Sequence, residues 1–179
     1  MDKTFAKTGT QEEEHFPLVN ESGETIGKAT RSKCHSGTKW LHPVVHLHVF
    51  NAEGELYLQK RSMNKDIQPG KWDTAVGGHV DYGESVEDAL RREAREELGI
   101  QGFEPVKITS YVFESAIEKE LVNTFRTIYS GSITPDLIEL SEGRFWAIAD
   151  ILSNLEKNVF TPNFEHEFTE IILPLIKTP

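Results

Sequence analysis

One cysteine, Cys34, stands in 179 residues, so no disulfide can form within the chain and the composition fits a reducing cytoplasm. No apolar run approaches the ~20 residues that a membrane-crossing helix needs. The opening stretch MDKTFAKTGTQEEEHF has no apolar signal core. It reads as a polar lead-in over residues 1–15, ahead of a single domain over 16–179. Positive charge is scarce: 19 Lys and Arg face 29 Asp and Glu, leaving a net charge of −10. Repulsion from phosphate argues against general nucleic-acid binding or an anionic membrane surface. A small phosphorylated substrate remains compatible, because a bound divalent metal reverses the local sign. A homodimer is left open. Repeats, low-complexity tracts and linkers rich in Pro, Gly or Ser are absent, and the length suits one domain with a real core.

What is present alternates between strand and helix patterns. FPLVNESGETIGKATR reads as two short strands around a turn supplied by Asn20, Ser22 and Gly23. In PVVHLHVFNAEGELYLQKRS, Val45, Leu47 and Val49 alternate with His46, His48 and Phe50 before NAEG turns into Leu56 and Leu58. That pattern predicts a hairpin, with His46 and His48 as structural or surface residues. EPVKITSYVFES and LVNTFRTIYSGSI predict two more strands, and GRFWAIAD another. Thr161 and Pro162 open a last helix, whose apolar stripe comprises Ile171, Ile172, Leu175 and Ile176. A mixed sheet with packed helices, an α/β class, follows.

Lysine is missing between Glu84 and Glu97, where six carboxylates meet three arginines. Ser85 with Asp88 marks the start of a helix, and Gly99 its left-handed end. At 100° per residue, Glu93, Glu96 and Glu97 fall within an arc of roughly 100°. Three carboxylates so placed repel one another, whereas a solubilising helix would set Glu against Lys. A hard divalent cation over that face removes the conflict, since Mg²⁺ takes oxygen ligands. Ala89, Leu90, Ala94 and Leu98 lie on the neighbouring side, suited to the core. The plainer alternative is a solvated acidic face with incidental arginine pairing.

The spacing runs Gly78, Glu84, Arg92-Glu93, Ala94, Glu96-Glu97, Gly99 and Ile100. It resembles the signature of the Nudix hydrolase family, G-x5-E-x7-R-E-U-x-E-E-x-G-U, with U a bulky apolar residue. Ala94 is smaller than the usual aliphatic there. The resemblance implies a Nudix-type α/β/α sandwich with a mixed sheet, and a loop–helix–loop binding Mg²⁺ or Mn²⁺. It also implies cleavage of a small-molecule diphosphate, such as a nucleoside diphosphate linked to another group, by water attack at phosphorus. Carried over by position, Glu93 and Glu97 are the principal ligands, Glu96 ligates directly or through water, and the Gly78 carbonyl adds a ligand. Glu84 and Arg92 hold loop and helix together, and Glu97, Glu93, Arg92 and Glu120 form the expected catalytic set.

Within that family the chain is similar to the branch containing isopentenyl-diphosphate isomerase. The cadence LYLQKRSMNKDIQPGKWD, then GGHV and GES, carries the likeness. In that enzyme two histidines seven apart, a Gly-His pair and two glutamates two apart hold a metal. The matching residues are His35, His42, His79, Glu118 and Glu120, a set suited to Zn²⁺ or Mn²⁺ as a second divalent ion. Chance spacing of histidines and a charged hairpin turn at 118–120 are the alternatives. The isomerase's cysteine precedes its Gly-His pair, where this chain has Gly77; hydrolysis is the expected chemistry. Arg61 and Lys71 are substrate-binding candidates, with Lys65 beside them. For Arg61, pairing with a motif glutamate is the alternative. Trp72 is read as a core plug or a base-stacking surface.

Overall fold

The computed structural model describes residues 13–64, 68–137 and 140–177. Most of the lead-in and Lys65 therefore lie outside the described residues. An antiparallel ribbon of β1 (His15–Val19) and β2 (Thr25–Thr30) comes first. Asn20 Oδ1 caps its turn by accepting from the Ser22 and Glu24 amides, each at 3.0 Å. A single turn of helix, α1 (Arg31–Cys34), leads into β3 (Leu41–Phe50).

β3 is the spine of a seven-stranded mixed sheet. One edge pairs in parallel with β8 (Lys119–Ile128) along its whole length, and β8 pairs antiparallel with β7 (Val106–Glu114). The other edge is divided. The predicted hairpin partner β4 (Leu56–Arg61) pairs with β3 only at Val49 and Phe50. It then peels away to β5 (Trp72–Thr74) and β9 (Leu140–Trp146). The vacated edge is taken by β6 (Val76–His79), whose Gly77 and Gly78 oppose His46 and Val45. Strands β5 and β6 were too short to read from alternation.

The period of two in β3 separates two layers. Val45, Leu47 and Val49 enter one core with α2 (Val86–Leu98), through Ala89, Leu90, Ala94 and Leu98. All four helix residues are fully buried, and each leucine contributes about 2 kcal/mol of apolar transfer. Ser85 Oγ accepts from the Asp88 amide at 3.1 Å, and Gly99 ends the helix at φ 66°. Beyond the sheet's other face, α3 (Ile148–Asn154) and α4 (Pro162–Glu167) build a second core around Leu56, Leu58, Trp146, Phe160, Phe164 and Phe168. Thr161 caps α4 by accepting from the Phe164 amide.

The last helix is not uniform. A π-helical turn, Phe168–Ile172, separates α4 from α5 (Leu173–Lys177). The expected apolar stripe is buried only as far as Ile172; Leu175 and Ile176 are exposed, because α5 runs past the second core. Among the described residues no helix is long and apolar enough to cross a membrane.

Candidate functional site

Arg92 organises the acidic helix. Its guanidinium forks onto Glu84, with Nε to Oε1 at 3.0 Å and Nη2 to Oε2 at 2.9 Å. The same group donates to the His79 carbonyl at 3.0 Å, to Glu93 at 2.8 Å and to Glu96 at 3.3 Å. One planar cation thus ties helix α2, the loop before it and strand β6 together. The hydrogen bonds with Arg92 hold the Glu84 carboxyl below its ordinary range and raise the arginine.

The three helix glutamates occupy different surroundings. Glu96 is exposed, and Glu93 is half-buried. Glu97 is buried and accepts from the Gly77 amide at 3.1 Å and from Gln59 Nε2 at 3.3 Å. Gly78 lies directly beneath Glu93: a Cβ there would run into that carboxylate, inside the 3.0 Å limit of real contacts. Glycine at 78 leaves the Glu93 carboxylate its place over β6.

The histidines converge. His35 Nε2 lies 3.1 Å from His79 Nε2 and 3.4 Å from Glu118 Oε2. Ligand atoms of His35, His42 and His79 lie within 4.8 Å of one another, as do those of His42, Glu118 and Glu120. His42 Nδ1 is held at 2.9 Å from the Trp40 carbonyl, which leaves Nε2 buried without a partner. An imidazole fixed by one nitrogen and unpartnered at the other is the arrangement a metal ligand needs. Phe16 of β1 stacks on His79 at 4.4 Å with planes 2° apart, a support that its spacing in sequence does not signal. Burial, reinforced by Arg31 and the neighbouring histidines, keeps His79 well below its usual pKa. Burial also lowers His42 and His35, so all three favour the neutral, ligating form. Burial and then Glu118 push Glu120 up to about 7. Three imidazoles and two carboxylates fit a borderline divalent ion.

The helix glutamates are not among the convergent sets; they flank the histidines across β6. A polar cleft of about 190 Å³ joins the two groups, lined by Arg31, His79, Asp81, Arg92, Glu93 and Glu96. Arg31 enters the cleft from α1, and its role was invisible without the ribbon that packs there.

Other expectations are redirected. Arg61 pairs with Asp73 at 3.3 Å, because β4 runs beside β5. Lys71 is half-buried in the link to β5, its carbonyl accepting from the Arg61 amide. Trp72 is 7% exposed and meets Trp146 edge-on at 5.1 Å, so it plugs the core and offers no stacking face. Lys119 and Glu120 lie inside β8, not in a turn. His46 and His48 are buried against Glu167 of α4. The hint in sequence was an acid three residues after Phe164 and four before Ile171, on the apolar side of the helix.

A model of the NUDIX domain matches residues 40–167. The chain belongs to the NUDIX family. It is 30% identical over 139 residues to isopentenyl-diphosphate Delta-isomerase of Clavibacter michiganensis subsp. michiganensis, covering 74% of this chain and 71% of that protein. Among solved structures, DR0079 from Deinococcus radiodurans superposes with a TM-score of 0.77 at 24% identity, over 88% of this chain and 99% of that one. A MutT protein from Methanosarcina mazei Go1 gives 0.67 at 27% identity, over 78% and 99%.

Proposed function

We propose that the protein is a divalent-metal-dependent hydrolase of an organic diphosphate, a nucleoside diphosphate linked to another group or a related compound. The observation that carries this reading is the junction at β6. There Glu97 meets the Gly77 amide, Glu93 lies over Gly78 and Arg92 grips the His79 carbonyl. Glu93, Glu96, Glu97 and the Gly78 carbonyl would hold Mg²⁺ or Mn²⁺. His35, His42, His79, Glu118 and Glu120 would hold a second divalent ion, Zn²⁺ or Mn²⁺. Such ions neutralise a diphosphate, polarise phosphorus and acidify a bound water.

The chain's own residues supply the remainder. Arg92 and Arg31 line the cleft and offer guanidinium donors to phosphate oxygens. Arg61 and Lys71 serve the distal part of the substrate from the β4–β5 edge. Glu97 and Glu120 are the carboxylates assigned to take a proton from the attacking water. The test is a panel of diphosphates with Mg²⁺ and Mn²⁺, read by release of phosphate or nucleoside monophosphate. Wild type turns over a member of the panel and Glu97→Gln does not; silence across the panel refutes the reading.

The likeness to isopentenyl-diphosphate isomerase supports a second reading, isomerisation of an allylic diphosphate at the same site. Position 77 weighs against it, because moving a proton on and off carbon needs two opposed acid–base groups, and glycine supplies neither. Conversion of isopentenyl diphosphate by the purified protein would reverse the ranking. Tight diphosphate binding without turnover under any metal would instead indicate a sensing module.

A further inference from the structure

The face of β3 that carries His42 also carries His46, and none of the assignments above uses it. His46 Nδ1 lies 2.8 Å from Glu167 Oε2. Glu167 is fully buried, takes the Thr124 hydroxyl on its other oxygen and has His48 Nε2 at 3.1 Å, too far off line for a hydrogen bond. The carboxylate is therefore fixed from three sides, and it fixes the His46 ring. Burial alone would raise Glu167, but His46 and His48 outweigh it and keep it ionised. Burial alone would likewise strip the proton from His46; Glu167 prevails and lifts it to about 9.

The other nitrogen, Nε2, has no hydrogen-bonding partner among the described residues. It faces the strand position opposite, Gly77, which is exposed. A Cβ built on Gly77 would sit 3.6 Å from His46 Cδ2 and 3.7 Å from Nε2. The space that any larger residue at 77 would fill is open, and the imidazole is its floor. Gly77 also gives its amide to Glu97, so the opening adjoins the helix glutamates. A buried carboxylate, an oriented imidazole and a glycine that uncovers its far nitrogen form a line from α4 to the exposed backbone at Gly77.

We infer that His46, positioned by Glu167, contacts the substrate: Nε2–H donates to an oxygen of the bound diphosphate in the space above Gly77. This rests on the diphosphate reading of the site. Glycine at 77 acquires a purpose by it, since a side chain there would cover the donor. Glu167 is a positioning residue, acting through the ring it holds.

The test uses methylenediphosphonate, a non-hydrolysable diphosphate, with Mg²⁺ and the full chain. Histidine ring nitrogens are followed by long-range ¹H–¹⁵N correlation. The His46 Nε2 resonance is expected to move on binding while that of His48 does not. Gly77→Val, which covers Nε2, and His46→Gln should each weaken binding about tenfold, as loss of one charge-assisted hydrogen bond implies. Their thermal midpoints report whether the fold survives, and Gly77→Ala, in ordinary contact with the ring, is the milder alternative. A saturating ligand that leaves His46 Nε2 unmoved overturns the inference even if the enzyme hydrolyses diphosphates. A moved His46 signal without turnover of any diphosphate sustains it and refutes hydrolysis instead.

Discussion

Replacing Gly78 with alanine puts a methyl group where the Glu93 carboxylate lies. Real side chains do not come within 3.0 Å, and this Cβ would fall inside that limit of Glu93 Cγ, Cδ and Oε1. The neighbour is the far end of a half-buried, flexible side chain, so the clash is relieved by swinging Glu93 away with little distortion of β6. The stability lost is that of the partly solvated Arg92–Glu93 contact, about 1 kcal/mol or less. The functional loss is larger. A displacement on the order of 1 Å in a positioning group costs about 10²-fold in rate, equivalent to ~2.7 kcal/mol in the barrier. Gly78→Ala should therefore retain nearly the wild-type thermal midpoint while losing Mn²⁺ affinity, by titration calorimetry, and roughly 10²-fold in kcat. The neighbouring Gly77→Ala puts its methyl against the His46 ring at an ordinary 3.6 Å and should leave Mn²⁺ affinity intact. If Gly78→Ala binds Mn²⁺ and turns over like wild type, Glu93 is not the ligand the fold was argued to present.

Glu167→Ala should lose about 3–5 kcal/mol in urea unfolding, because the buried His46 imidazole loses its counter-charge; a loss under ~1 kcal/mol would mean the cluster is relaxed or solvated. The hydrogen bonds from Arg92 hold the Glu84 carboxyl below its ordinary value, so its contribution is complete above that ordinary value and fades as acid takes it through the lowered folded one. Thermal midpoints of wild type and Glu84→Gln should therefore converge as pH falls from about 5 towards 3, and parallel curves would refute the linkage. Chelation should abolish diphosphate turnover, with Mg²⁺ or Mn²⁺ restoring it; turnover that survives exhaustive chelation contradicts a metal-dependent site. His42→Ala should remove one class of Mn²⁺ site and leave another, visible as loss of anomalous density at the histidines but not over α2.

Several parts of this arrangement are legible in the sequence alone. The helix from Ser85 to Gly99 announces itself through its cap, its apolar side and its crowded acids, because all three signals are local. The convergence of His35, His42, His79, Glu118 and Glu120 was legible only through resemblance, since His42 and Glu120 meet across strands that sequence spacing cannot pair. The β3–β4 hairpin forms, but only next to its turn, for a related reason: alternation shows that strands exist, not which edge each will keep. The His46–Glu167 pair was the hardest to see, because 121 residues separate its members. A lone acid on an apolar helix side looks like noise until the partner strand is placed.

That parallel pairing has a bearing on how the chain must assemble itself. His42 and Glu120 are register partners across 78 positions, and every rung of the β3–β8 ladder spans the same gap. A loop of that length closes slowly compared with a hairpin or a helix. During synthesis β3 leaves the ribosome well before its mate exists, showing an unpaired edge of valine, leucine and histidine in the meantime. The short strand β6 reaches that chain first and can occupy part of the other edge. The rung at His42 and Glu120 completes only after the ladder closes, so a protein able to gather its histidines and glutamates has already passed its slowest step.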